Sequence, residues 1–381
     1  MSKVRFGDIV KDVKNNVDRG NNPFEFYVAG DHMDSEDLTI RRKGRFSTDD
    51  VGPAFVRIFK PGQVLYGSRR TYLKKVAVAD FEGICANTTF VLETKNPALF
   101  EQKLLPFLML SDGFTNWSIS QSKGSTNPYV LFSDLAAYEV NLPSLTEQKV
   151  LAEKLWAAYE VKQSYLKMIE ATQEMVKSQF IEMFGDISIN SKAWPVEKLA
   201  NVANIKIGPF GSLIHQRDYQ EGGHCLINPS QIINNKIVPD SKVAVTEYKY
   251  QELLSYTVSI GDIILGRRGE MGRAGIIEEE GMLCGTGSMV IKPKDKGDSL
   301  FLHLFITSPH SKEWLENNSV GTTMTNLNTQ IVANMEIPIL PANLKQQFVA
   351  ITNQADKSVF ELRKSIDAID KVIKSLINEN L

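Results

Sequence analysis

Two stretches of the chain are built from short apolar runs punctuated by turns, and each is followed by a long segment whose apolar residues recur every three or four positions. In the first stretch the runs are Ala54-Phe55-Val56-Arg57-Ile58, Val64-Leu65-Tyr66, Val76-Ala77-Val78 and Thr89-Phe90-Val91-Leu92, separated by turn signals such as Pro61-Gly62 and Glu82-Gly83. These predict strands, and Leu99 to Leu110 predicts a helix entered after Pro97. The second stretch repeats the programme with Val258-Ser259-Ile260, Ile263-Ile264-Leu265, Ala274-Gly275-Ile276-Ile277 and Ser288-Met289-Val290-Ile291, then a helix around Ser299 to Ile306. Each stretch is expected to form a small α+β domain.

The long segments carry a narrow apolar stripe. In the first, Leu151, Leu155, Ala158, Tyr165, Ile169, Val176, Phe180 and Met183 keep helical spacing, interrupted by Lys162 and Thr172. In the second the stripe is Phe348, Ile351, Ala355, Val359, Leu362, Ile366, Ile369, Val372 or Ile373, and Leu376. A stripe this narrow suits one partner helix. The first helix should begin near Thr146-Glu147-Gln148 and stop at Gly185, and the second should begin after Pro341 and run nearly to Leu381. At the helical rise each would be about 55 to 60 Å long, too long to bury its stripe against a small domain.

The two halves align. Val64-Leu65-Tyr66-Gly67-Ser68-Arg69-Arg70 matches Ile263-Ile264-Leu265-Gly266-Arg267-Arg268-Gly269 at an offset of about 199 residues, which also superimposes Gly62 on Gly261, Cys85 on Cys284 and Val91 on Val290. Further on, Gly124-Ser125-Thr126 matches Gly321-Thr322-Thr323, and Glu139-Val140 matches Glu336-Ile337. Such a period means two copies of a whole domain. The expected plan is a domain over 1–143, a spacer helix over 144–185, a second domain over 186–342 and a second spacer helix over 343–381. Antiparallel pairing of the helices would set the domains at opposite ends with a pseudo-twofold axis; two independent intermolecular coiled coils are the other reading. Asn22 to Arg45 and Phe210 to Ile237 share almost nothing, as expected if one scaffold carries two different recognition surfaces. Two binding modules on a rigid spacer suit duplex DNA, whose half-sites repeat every ~34 Å.

Composition narrows the field. With 43% apolar and 23% charged residues the chain is ordinary globular protein, and a net charge of -2 argues against coating nucleic acid by bulk positive charge while leaving room for local basic surfaces. No apolar run is long enough to span a bilayer, and Met1-Ser2-Lys3-Val4-Arg5 does not lead into a signal-peptide core, so a soluble cytoplasmic protein with no membrane partner is expected. Cys85, Cys225 and Cys284 form no CxxC pair and read as small core residues.

A family resemblance rests on specific segments: Gly261-Asp262-Ile263-Ile264-Leu265 with Arg267-Arg268 and Gly272, Gly208-Pro209-Phe210-Gly211-Ser212, Pro143-Ser144-Leu145-Thr146-Glu147-Gln148 with its echo at Pro341 to Gln347, and Met183-Phe184-Gly185-Asp186. In this order, and duplicated, they resemble the specificity subunits of type I restriction-modification systems over essentially the whole chain. The first unit departs from the pattern, with Gly62-Gln63-Val64 in place of Gly-Asp-Ile. The resemblance implies a non-catalytic DNA sequence-specificity subunit: two target recognition domains, each reading half of a bipartite duplex DNA target, and two long antiparallel helices serving as spacer and as seat for two modification (methyltransferase) subunits, with restriction subunits in the full complex. It also implies no cofactor in this chain; S-adenosylmethionine, ATP and Mg belong to the partner subunits.

Arginine is the first candidate for base readout, because its fork meets guanine O6 and N7. Arg69, Arg70, Arg267 and Arg268 follow a strand and precede a turn, where they either touch DNA or form salt bridges at home. Arg41, Arg42, Lys43 and Arg45, with Lys74 and Arg273, are phosphate candidates or solvated loop charges. Lys123, Ser125, Thr126, Thr322 and Thr323 lie on polar, Gly-centred segments that suit phosphate contact or a capped connection. Spacer packing is assigned to Leu151, Leu155, Tyr165, Ile169, Val176, Phe180, Ile351, Val359, Leu362, Ile366, Ile369 and Leu376. Signals for catalysis are poor. Asn21-Asn22-Pro23-Phe24 and Asn127-Pro128-Tyr129 each lack the second proline of an aminomethyltransferase loop, and Gly266 to Gly272 has the wrong glycine spacing for a dinucleotide site. There is no Walker A sequence, and the five histidines have no HExxH spacing. The rival readings are an enzyme with an undetected methyltransferase or nuclease site, which would bind S-adenosylmethionine alone, and a protein-only coiled-coil adaptor, which would bind no DNA.

Overall fold

The computed structural model describes residues 2–18, 21–320 and 326–381. By contacts the chain separates into two compact units, Met1–Glu170 with Val359–Leu381, and Ala171–Ser358. Each long helix therefore begins in one unit and ends in the other, and the helices are not a body separate from the domains.

In the first unit the main sheet has Val10–Asp12, Thr89–Thr94, Val64–Gly67 and Val76–Val78 in that order, all antiparallel. Its central strands carry continuous apolar runs, Val64-Leu65-Tyr66 and Phe90-Val91-Leu92, because both faces are covered. Val64, Tyr66 and Leu92 face a core shared with Phe107, Phe114, Leu151, Leu155 and Ile377, whereas Leu65, Ala77 and Val91 face Val28, Phe59 and Cys85. The second unit repeats the sheet with Ala203–Ile207, Ser288–Pro293, Ile263–Gly266 and Ala274–Ile276. Ile263, Leu265 and Ile291 turn to one core and Ile264 and Val290 to the other. The register repeats too: Tyr66 pairs with Phe90 as Leu265 pairs with Met289, both members moved by the same offset. A small antiparallel pair, Ser2–Arg5 with Glu139–Leu142 and Val196–Lys198 with Glu336–Pro338, closes each unit.

The duplication reaches further than the sequence suggested. Asn22 to Arg45 and Phe210 to Ile237 were expected to share almost nothing, yet each contains one strand of a parallel pair: Tyr27 and Val28 lie beside Ile84 and Cys85, as Leu226 and Ile227 lie beside Leu283 and Cys284. What differs is the edge around them. Phe55–Phe59 is a full strand on Gly83–Ala86 in the first unit, whereas the second keeps a single bridge between Thr257 and Leu283. Cys85 and Cys284 are buried free thiols, pushed up to about 12 by desolvation.

The tight turn before the central strand needs a left-handed residue, and both units place glycine there, Gly62 at φ 84° and Gly261 at φ 83°. The next residue differs in a compensated way. Asp262 is fully buried, accepts from the Ser259 N–H at 2.9 Å and is ion-paired with Lys292 at 3.4 Å and with Lys296. In the first unit Gln63 takes that place, and the position of Lys292 is held by Glu93, which accepts from Gln63 Nε2 at 2.8 Å. The departure from Gly-Asp-Ile is thus one half of an exchanged polar pair.

The first long helix runs Leu145–Phe184 and the second Ala342–Asn380. Ser144 and Glu147 cap the first reciprocally, and the buried Gln148 ties it down by donating to the carbonyls of Leu99 and Pro143. Gly185, at φ 74°, ends it. Within the first unit the two helices run antiparallel: Leu151, Leu155 and Tyr159 share a core with Ile377, and further along Lys162 meets Asp370 at 2.6 Å. Lys162, a break in the apolar stripe, is thereby a cross-helix ion pair. In the second unit Phe180 and Phe184 pack with Phe301 and Phe348, ring centroids 5.1 to 6.3 Å apart.

Of the assigned packing residues, Leu151, Leu155, Ile169 and Ile366 are buried, and Tyr165, Val176, Phe180, Ile351, Val359, Leu362, Ile369 and Leu376 are half-buried. Between Val372 and Ile373 the structure chooses Ile373, which joins the core while Val372 is exposed.

Candidate nucleic-acid interface

At the end of the central strand of each unit the chain meets a later segment whose two ends are joined by a pair of backbone hydrogen bonds. In the first unit Lys123 and Tyr129 exchange both backbone hydrogen bonds, at 2.8 and 2.9 Å, closing the loop 124–128. That loop is clamped to the strand end: Val130 N–H donates to Ser68 O at 2.9 Å and Arg70 N–H to Pro128 O at 2.7 Å, with Arg69 bridged to Tyr129. In the second unit Val320 and Asn326 exchange the same two bonds, at 3.1 and 2.9 Å; Leu327 N–H donates to Arg267 O at 3.0 Å, and Arg268 is bridged to Asn326. In the first unit the basic strand end and the Gly-centred segment, read as separate candidates, are thus one structure; in the second the strand end is joined to Asn326 and Leu327, and residues 321–325 lie outside the described residues.

The clamp sorts the arginines. Arg69 and Arg268 occupy the same place, are exposed, and form no ion pair among the described residues; the Arg69 guanidinium lies 6.0 Å from the centre of the exposed Tyr129 ring. Arg70 is exposed in the left-handed region at φ 51°, where the second unit has Gly269 at φ 79°. Arg267 is placed differently. Its side chain is buried, Nε donates to Leu327 O at 2.9 Å, and burial, then the neighbouring charge of Arg268, holds its pKa below the usual guanidinium value. Strand alternation explains this, since Ile263, Leu265 and Arg267 leave the same side of the strand, as Val64, Tyr66 and the buried Ser68 do in the first unit. Arg267 thereby supports the backbone at Leu327, next to Asn326.

Other basic candidates have partners at home. Arg41 pairs with Asp37 and reaches Gln163 on the first long helix; the same Asp37 accepts from Tyr159, whose hydroxyl also meets Thr39 at 2.9 Å. Arg41 therefore pins its loop to the helix. Arg42 pairs with Asp34, Arg45 with Glu25, Lys74 with Glu36, Lys123 with Asp134, and Arg273 with Glu270 while donating to Pro229 O. Exposed pairs of this kind contribute about 0 to 1 kcal/mol, so a phosphate can displace the carboxylate. Lys43 sits 3.8 Å from the ring centre of Phe26. Ser125 and Thr126 are exposed on the loop, after Gly124 at φ 89°. Thr322 and Thr323 lie outside the described residues. Beside these candidates the clamp brings in Tyr129, read from the sequence only as part of Asn127-Pro128-Tyr129, and Asn326.

Among the described residues no three His, Cys, Asp or Glu side chains are grouped to hold a metal ion, and no helix is long and apolar enough to cross a membrane.

The duplicated plan of the chain has counterparts among known proteins. The family described as the type I restriction modification DNA specificity domain matches residues 41–169 and 191–369. The chain is 24% identical over 317 residues to the MjaVIII specificity subunit of a type I restriction enzyme from Methanocaldococcus jannaschii, covering 78% of this chain and 73% of that protein. It is 26% identical over 149 residues to the EcoDI specificity subunit from Escherichia coli, covering 39% and 32%. Among solved structures, the S subunit of a type I restriction-modification system from M. genitalium superposes with a TM-score of 0.59 at 14% identity, over 100% of this chain and 96% of that one. A chain from a type I R-M system, solved to follow complex assembly and conformational transition, gives 0.56 at 18% identity over 100% and 98%. These likenesses establish a shared fold, and with a family match in both copies of the repeat, the chain belongs to the type I restriction modification DNA specificity domain family.

Proposed function

We propose that this chain is the sequence-reading subunit of a type I restriction-modification system, in which each unit reads one half of a bipartite duplex DNA target. The observation that carries this reading is the repeated clamp: two copies of one scaffold present an exposed arginine at the same place, Arg69 and Arg268, surrounded by dissimilar edges. A common scaffold with divergent loops suits a duplex whose two half-sites differ in sequence. The paired helices are the spacer between half-sites and the seat for two modification subunits, with restriction subunits joining the full complex in the cytoplasm. The chain itself does no chemistry; methyl transfer from S-adenosylmethionine and ATP- and Mg-dependent cleavage belong to its partners. The family match supports the first part of this reading, and the helix pairing supports the second.

The test is to assemble the full chain with its modification subunits, supply S-adenosylmethionine and a random duplex library, and sequence the methylated molecules. A single bipartite motif with a fixed gap is expected. Methylation without a motif, or a complex that binds no DNA, overturns the proposal.

A further inference from the structure

Resting on that reading, we infer that the pair at each clamp is the specificity-determining contact of its unit: Arg69 with Tyr129 in one, Arg268 with Asn326 in the other, each arginine reading one guanine in the major groove. Three observations lead here. The positions are equivalent by topology, because both arginines follow the central strand by two residues and both are bridged to a residue, Tyr129 or Asn326, that exchanges two backbone hydrogen bonds with the residue six positions before it. Their backbones are held from both sides. Ser68 N–H donates to Thr88 O at 3.0 Å and Arg267 N–H to Gly287 O at 3.0 Å, while Val130 and Leu327 donate from the other side. A guanidinium launched from a fixed backbone has only its side-chain torsions left to order on binding, which lowers the entropic cost of a directional contact. Finally, neither arginine has a carboxylate to satisfy it among the described residues, unlike Arg41, Arg42, Arg45 and Arg273.

The chemistry of such a group selects guanine. Its planar fork places two parallel N–H donors where O6 and N7 accept, and no other base edge offers two acceptors side by side in the major groove. The partner position then separates the units. Tyr129 offers Arg69 a ring face that favours a cation, and in the second unit the residue bridged to Arg268 is Asn326, which has no ring to offer. The same scaffold therefore carries an arginine beside a ring in one unit and an arginine without one in the other, which tunes how strictly each guanine is required.

The experiment uses the full chain with its modification subunits and sequences methylated sites for the wild type, Arg69→Ala, Arg69→Lys, Arg268→Ala, Arg268→Lys and Tyr129→Asn, with circular dichroism melts to confirm folding. The alanine and lysine variants at position 69 should each relax one G·C position of one half-site by about 10- to 100-fold and leave the other half unchanged. Those at 268 should do the same in the opposite half. Lysine fails with alanine here because it keeps the charge and loses the fork. Tyr129→Asn should weaken the same position as Arg69→Ala by a smaller factor. If the variants instead weaken all sequences alike, with lysine rescuing and the salt dependence reduced in the alanine form, these arginines are phosphate contacts and the inference is overturned. A wild-type motif left intact in folded Arg69→Ala and Arg268→Ala overturns it too, with the proposed function standing; a wild-type complex that marks no motif overturns the proposed function and this assignment with it.

Discussion

Replacing Asp262 by alanine tests whether the Gly-Asp-Ile turn is a structural device and not part of the recognition surface. The carboxylate is fully buried, so its loss has two separable consequences. The Ser259 N–H loses its acceptor at 2.9 Å, and an unsatisfied buried donor costs about 1 to 3 kcal/mol. Lys292 and Lys296 also lose their counter-charge, but their side chains are 37% and 49% exposed and can rehydrate, so the ~3 to 5 kcal/mol expected for breaking a buried pair is an upper bound. We expect a loss of about 2 to 3 kcal/mol, which for a unit of this size lowers the melting temperature by roughly 4 to 10 °C. Scanning calorimetry with hydrogen exchange should locate the loss in 171–358. The first unit supplies the control: Asp262→Gln alone should be more harmful than in the presence of Lys292→Glu, which recreates the Gln63–Glu93 hydrogen bond. A melting temperature shifted by less than about 1 °C, or a strictly additive double mutant, would refute this account.

Phe348→Ala removes a buried ring that meets Phe180, Phe184 and Phe301, and should destabilise the second unit by about 3 to 5 kcal/mol in urea unfolding; a change below ~1 kcal/mol would mean that the cluster does not anchor the second helix. Arg267→Leu should lower stability while leaving the methylated motif as it is, because its guanidinium supports Leu327 O; a changed motif would return Arg267 to the interface. Arg57→Met strands Asp12, which accepts from Arg57 Nη1 at 2.9 Å and whose pKa burial raises, with Arg57 opposing that rise. A carboxyl raised above its unfolded value near 3.9 takes up a proton on folding between the two pKa values, so stability gains as pH falls through that window. Removing Arg57 widens the window upward, and the variant's deficit against wild type should be smaller at pH 5 than at pH 7. Equal deficits at both pH values would contradict this.

Much of the fold was legible because both faces of each main sheet are covered. Ile263-Ile264-Leu265 is apolar throughout for that reason, and its recurrence as Val64-Leu65-Tyr66 exposed the duplication. The long helices were legible from their stripes, down to Gly185 as a stop. The Tyr27-Val28 strand was not, because three residues between irregular segments carry no periodicity and their partner, Ile84-Cys85, is distant in sequence and runs parallel. At the interface, strand alternation carried to its end would have separated Arg267 from Arg268. The Asp37–Arg41 pair, four residues apart, lay open to a reading of charge spacing, whereas Lys123–Asp134 is set by how the chain folds back.

Because the first unit needs Val359–Leu381 as well as Met1–Glu170, with Ile377 in its core, its order of completion during synthesis is fixed by the chain's own route. The later-made unit is contiguous and can close first. At ribosomal rates of about 5 to 20 residues per second, the earlier half waits roughly 10 to 40 seconds for its final helical segment, with the place of Ile377 in its core unfilled meanwhile. A nascent chain stalled before residue 359 should therefore present a finished second module beside an unfinished first one, and truncation there should send the product to chaperones or proteases.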